Sequence, residues 1–111
     1  MRLQTDVKAL VLSVLAQGPN HGYGVAKTVR EKSNGVLKLG EGQLYPALHA
    51  LEEDGFVTSD WEGEGEQKRR TYAITPAGRA ELEGRAARWG AFTDGVAKVL
   101  ELGGLETEPC R

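Results

Sequence analysis

Residues 40–51, Gly40-Glu41-Gly42-Gln43-Leu44-Tyr45-Pro46-Ala47-Leu48-His49-Ala50-Leu51, carry two patterns at once. Leu44, Ala47, Leu48 and Leu51 recur at three- and four-residue intervals, the spacing of a single buried helical stripe. Gln43, Tyr45, His49 and Glu52 fall on the other face, so the helix presents glutamine, tyrosine and histidine outward. Pro46 bears on where this helix begins. With a cap at Gly40 the proline lies in the interior and costs about 3 kcal/mol relative to alanine, so a start near Gly42 or a distorted first turn is expected. Either start leaves Gln43 and Tyr45 near the amino end, where unpaired backbone N–H groups favour a phosphate.

Downstream, Asp54-Gly55 is a turn signal and Phe56 to Trp61 alternates as a strand does. The loop Glu62 to Gln67 contains two glycines and three glutamates, and a second strand runs from Arg69 to Ile74. Val57 and Trp61 can share a face with Tyr72 and Ile74, the cross-strand packing a two-stranded ribbon needs. Lys68, Arg69 and Arg70 form the densest basic group in the chain. Helix, strand, loop and strand in this order suggest a helix feeding a two-stranded wing, an arrangement to be tested as a DNA-reading module.

Upstream, Thr5 to Gln17 reads as a first helix with Val7, Leu10, Val11, Val14 and Leu15 inward and Thr5 as a partial cap; Asp6 suits its amino-terminal dipole. Gly18-Pro19-Asn20 stops it. His21-Gly22-Tyr23-Gly24 leads into a second helix to about Lys32, with Val25, Ala26 and Val29 inward and Lys27, Arg30 and Lys32 outward. Ser33-Asn34-Gly35 is a turn, and Val36 to Leu39 reads as a short strand or extended segment. His21 is a turn or packing residue rather than a ligand, because His21, His49 and the remote Cys110 supply too few donors for a metal site.

Thr75-Pro76 is a helix start, with threonine as cap and proline at the first position. A long amphipathic helix follows from Arg79 to Glu101, on the order of 35 Å at about 1.5 Å per residue. Leu82, Trp89 and Val96 repeat every seven residues, interleaved by Ala86, Phe92 and Val99 or Leu100. This stripe exceeds what a domain of about 75 residues covers, and Gly84, Gly90 and Gly95 weaken the helix by about 1 kcal/mol each. A second copy packed on it offsets both deficits, so a homodimer is expected. Gly103-Gly104 is the expected end. The division is therefore a reading head at 1–75, a dimerisation helix at 76–104 and a flexible tail at 105–111.

The chain has 111 residues, 40% hydrophobic and 27% charged, enough for one domain and one extension. Net charge is −2, which weighs against nucleic-acid binding, while the local clustering of lysine and arginine weighs for it. A single cysteine excludes an intrachain disulfide framework. The apolar run Ala9 to Ala16 is short and broken by Ser13, so neither export nor membrane insertion is expected and a cytoplasmic location is the simpler reading. There is no acid pair, nucleophile triad or phosphate-loop glycine pattern, so neither an enzyme nor a cofactor is expected.

Three segments in order, His21-Gly22-Tyr23-Gly24, then Gly42 through Leu44-Tyr45-Pro46-Ala47-Leu48, Leu51-Glu52, Gly55 and Val57, then Arg70, Tyr72, Ile74-Thr75 and Gly78, resemble the PadR-like family of bacterial transcriptional regulators. The resemblance covers about residues 5 to 83. It implies a mainly α fold with a two-stranded β wing, a winged helix-turn-helix followed by a long carboxy-terminal dimerisation helix, binding pseudo-palindromic operator DNA, usually as a repressor. Carried over, Gln43 to Asp54 corresponds to the recognition helix. On that basis Gln43 and His49 are candidates for base contacts, glutamine pairing bidentately with adenine. Lys27, Lys38, Tyr45, Lys68, Arg69 and Arg70 are candidates for the phosphate backbone. The family commonly places a basic residue before the Leu-Glu pair, where this chain has His49-Ala50. Interface packing is the favoured reading of Trp89 and Phe92; the alternative, from similarity to some compact members, is that they stack on a planar hydrophobic effector between the dimer's helices. The alternative to operator binding is a winged-helix module that contacts proteins instead.

Overall fold

The computed structural model describes residues 6–102. Four helices and three strands follow in the order α1 (Val7–Leu15), β1 (Asn20–His21), α2 (Gly22–Lys32), α3 (Glu41–Glu53), β2 (Val57–Glu62), β3 (Arg69–Ile74) and α4 (Pro76–Leu100). The mainly helical class with a β wing and a long last helix is as the sequence predicts. The sheet, however, has three strands in the order β1-β3-β2, all antiparallel. Asn20 pairs with Tyr72 and His21 with Thr71, which stitches the start of α2 to the wing.

The core forms around α1, which packs on α2, α3 and α4. Val11, Leu12 and Leu15 are completely or almost completely buried, and Leu12 lies outside the expected stripe because helices cover α1 on several sides. Asp6 rather than Thr5 caps α1, its carboxylate accepting from the Ala9 amide at 3.1 Å. Val25 and Val29 of α2, Leu44, Leu48 and Leu51 of α3, Val57 of β2 and Tyr72 of β3 complete the core.

The predicted stripe of α3 is buried as expected, but the helix begins at Glu41 with Gly40 as its cap. Pro46 is therefore inside the helix. The expected start near Gly42 overweighted the local penalty. Burying Leu44, Leu48 and Leu51 contributes about 1.5–3 kcal/mol each, more than the roughly 3 kcal/mol that proline costs. Residues 36–39 form no strand. Ser33 Oγ accepts from the Leu37 amide at 2.9 Å, folding that segment back on the end of α2, and the β3 edge that a strand would need is taken by β1.

Thr75 and Pro76 start α4 as predicted, three residues before Arg79. Thr75 Oγ1 accepts from the Gly78 amide at 3.0 Å and donates to the Gly55 carbonyl at 2.7 Å, while its own amide donates to the Phe56 carbonyl. A Cβ at Gly78 would collide with that Phe56 carbonyl, so the Thr-Pro-x-Gly spacing lets α4 start flush against the entry to the wing. The helix ends at Leu100, where Glu101 takes a left-handed conformation (φ 63°). The expected stop at Gly103-Gly104, the tail 105–111 and Cys110 lie outside the described residues. The molecule measures 56 × 26 × 24 Å, and its longest element is the 25-residue α4.

Candidate nucleic-acid interface

Gln43, Tyr45 and His49 are exposed on α3, opposite the stripe that holds the helix to the core. Tyr45 is only 37% exposed, because its ring lies over the first turn of α2. A Cβ on Gly22 would come within 2.6 Å of the Tyr45 hydroxyl oxygen and 2.9 Å of its ring, so Gly22 is the residue that seats this tyrosine. Packing and surface presentation thus coexist in Tyr45. Lys27 on α2, Lys38 before α3, and Lys68, Arg69 and Arg70 on the wing are exposed.

The wing register divides its cations. Val57, Ser59 and Trp61 stand opposite Ile74, Tyr72 and Arg70, so Arg70 and Trp61 share one face and Arg69 points to the other. Val57, Trp61, Tyr72 and Ile74 share a face as predicted, yet Trp61 remains 55% exposed. Lys68 Nζ and the Arg70 guanidinium lie 5.4 and 5.0 Å from its ring centroid, within cation–π reach. Arg70 Nε donates to Ser59 Oγ at 2.9 Å, and Ser59 Oγ donates to Glu52 Oε2 at 2.7 Å. Burial pushes the Tyr72 phenol up; among its charged neighbours Arg70 opposes this and Glu52 adds to it.

On the opposite face Arg69 Nη1 lies 2.8 Å from His21 Nε2. His21 Nδ1 already accepts from the Gly24 amide at 3.2 Å, capping α2. A neutral imidazole has one accepting nitrogen, so it cannot serve Arg69 and Gly24 together. Arg69 is therefore weakly held, whereas Arg70 Nε donates into a chain that ends on the Glu52 carboxylate.

Against the middle of α4 Asp6 gathers four contacts. Besides Ala9, Arg85 Nη1 donates to both carboxylate oxygens at 2.9 and 3.0 Å, and Trp89 Nε1 donates at 3.2 Å. Arg85 also pairs with Glu81 at 2.7 Å. Burial alone would push the Asp6 carboxyl up, but the Ala9, Arg85 and Trp89 donors outweigh it and hold it below the usual carboxylate range. Burial would likewise lower Arg85, and Glu81 and Asp6 more than offset that. Nothing local in the sequence announces this contact, since Asp6 and Trp89 are 83 residues apart. Leu82 packs against the core of its own chain, and Phe92 meets Trp89 edge to face at 5.5 Å. Farther along α4, Phe92, Val96, Val99 and Leu100 line an open apolar groove with Ala91 and Gly95. Ala86 is exposed.

The residues that seat Tyr45 and start α4 belong to the segments that carry the family resemblance, and a family model for transcriptional regulators of the PadR-like family matches residues 11–84. The chain belongs to the PadR-like family. Members of this family are transcriptional regulators. Transcriptional regulator Rv3488 of Mycobacterium tuberculosis is 38% identical over 76 residues, covering 68% of each chain. A solved transcriptional regulator from Clostridium thermocellum superposes with a TM-score of 0.75 at 30% identity, over 83% of this chain and 90% of that one. Bacillus subtilis PadR, solved with operator DNA, shares the fold at a TM-score of 0.66 and 24% identity, over 77% of this chain and 48% of that one. The chain spans 22% to 68% of the length of the curated relatives it matches. Among the described residues no helix is long and apolar enough to cross a membrane, and no group of three or more His, Cys, Asp or Glu is placed to hold a metal ion.

Proposed function

We propose that this PadR-like chain is a homodimeric repressor that reads a pseudo-palindromic operator with α3. The observation that carries the reading is the split of α3 into a fully buried stripe and an exposed face bearing Gln43 and His49. A helix held so firmly from behind presents its polar side chains to a major groove without distortion. Gln43 and His49 contact base edges, while Lys27, Lys38, Tyr45, Lys68 and Arg69 take phosphates. Arg69 suits that role because its partner within the chain is a poor one. The operator complex of Bacillus subtilis PadR supports this use of the shared fold.

Residues 1–75 act as the reading head and 76–104 as the dimerisation helix. Val99 is 82% exposed and Leu100 59% exposed, and with Phe92 and Val96 they form an apolar face with no partner among the described residues. A second copy covering this face sets two α3 helices about 34 Å apart, one turn of DNA. The Trp89–Phe92 pair borders the same groove and is the place for a planar hydrophobic effector.

The test is a mobility shift with DNA from the gene's own upstream region, against a scrambled duplex, with and without planar aromatic compounds. Preferential binding to the upstream duplex is expected, and an effector quenches Trp89 fluorescence and lowers that binding. Retention on heparin with no preference for the upstream duplex would favour the protein-contact module instead. The exposed glutamates Glu62, Glu64 and Glu66 of the wing loop suit that second reading.

A further inference from the structure

We infer that Arg70 is a positioning residue: through Ser59 it locks the wing to the carboxyl end of α3, so that the two meet DNA as one rigid unit. The inference rests on the operator-binding reading and reassigns a residue that sequence alone groups with the phosphate-binding cations.

Three observations carry it. The last turn of α3 and its cap hold Glu52, Glu53 and Asp54 with no basic residue, where the helix dipole disfavours negative charge. Glu52 is nevertheless half-buried against β2, with Ser59 donating to it at 2.7 Å. A cation relayed through that hydroxyl offsets the misplaced charge, and Arg70 supplies it at 2.9 Å. The relay is polar-matched throughout: guanidinium N–H to hydroxyl oxygen, hydroxyl O–H to carboxylate.

The strand register then makes the arrangement specific. Arg70 stands directly opposite Trp61, and its guanidinium lies over that ring, so its head is held by both Trp61 and Ser59. Arg69, one residue away, faces the other side and has only the contested His21 nitrogen. Two adjacent arginines therefore do different jobs: one is available to a phosphate and the other fixes the angle between reading helix and wing.

The experiment compares wild type, Ser59→Ala, Arg70→Met and the double variant. Fluorescence anisotropy measures affinity for the upstream duplex and for a scrambled duplex of equal length, across a salt titration, well below the unfolding temperature. Ser59→Ala breaks the relay without removing a charge, and circular dichroism verifies its fold. Each single variant is expected to lower the preference for the upstream duplex by about tenfold while leaving scrambled-DNA affinity within about twofold, because positioning rather than phosphate attraction is lost. The double variant is expected to be no worse than either single one, since both break the same chain. Salt slopes remain at the wild-type value.

If Arg70→Met weakens both duplexes together and reduces the slope by about 0.9, Arg70 is a phosphate ligand and the inference is wrong. An unchanged preference in Ser59→Ala overturns it too. Wild type that fails to prefer the upstream duplex refutes the operator reading itself, and the inference with it.

Discussion

Replacing Asp6 with alanine removes in one step the cap of α1 and the anchor of α4. The magnitude follows from the contacts. Loss of the side-chain cap costs about 1 kcal/mol. The Arg85 pair is about one-fifth exposed on each side. After solvent screening such a pair contributes about 0.5 kcal/mol. The indole N–H bond adds about 0.5 kcal/mol more. These contacts share one carboxylate, so the expected loss is near 2 kcal/mol rather than a larger sum of separate maxima. Urea unfolding followed by tryptophan fluorescence measures it, at fixed protein concentration because association would add a mass-action term. The pH dependence supplies a second check. Asp6 titrates below its ordinary value, so its ion-pair contribution is fully present above about pH 4 and disappears as pH falls through the lowered pKa. The gap between wild type and Asp6→Ala should therefore narrow in acid. A gap under about 0.5 kcal/mol at pH 7, or one that is unchanged at pH 2.5, would refute this reasoning.

Other outcomes follow from the geometry. Gly78→Ala forces a Cβ onto the Phe56 carbonyl and is expected to destabilise the fold by about 2–4 kcal/mol in the same unfolding assay. Gln43→Ala should weaken operator binding by about 1–3 kcal/mol and leave scrambled-DNA affinity nearly unchanged, as anisotropy with the two duplexes would report. Val99→Asp should shift the solution mass from dimer towards monomer in sedimentation, because it places a charge on the exposed apolar face of α4. A dimer that survives Val99→Asp at micromolar concentration would move the interface elsewhere.

The parts of this molecule that were legible in its sequence are those with a repeat long enough to show a period, or a cap made of two adjacent residues. The stripe of α3, the shared face of β2 and β3, and the Thr75-Pro76 start of α4 are of this kind. Strand β1 has two residues, too few to show alternation, and it exists because β3 offers it an edge. The start of α3 at Glu41 is not legible locally, because proline's penalty is local while the burial that overrides it is tertiary. The Asp6–Arg85–Trp89 contact joins opposite ends of the described chain, and no spacing rule reaches that far. In the candidate site, exposure of Gln43, His49 and the lysines was foreseeable from helical faces. What the run Lys68-Arg69-Arg70 does not show by itself is that Arg69 turns away from Lys68 and Arg70, since adjacent residues of a strand face opposite sides.

That alternation limits how the wing can diversify. Residues 63–67 hang beyond the paired strands, so insertions and deletions there need not disturb the ladder. Between Arg70 and Tyr72 the situation is different: an indel of one residue, with the Val57–Ile74 pairing kept, would turn Arg70 away from Trp61 and bring another side chain beside Ser59. Relatives that keep this pairing should therefore differ in length at the tip of the hairpin, while the spacing from arginine to tyrosine stays constant.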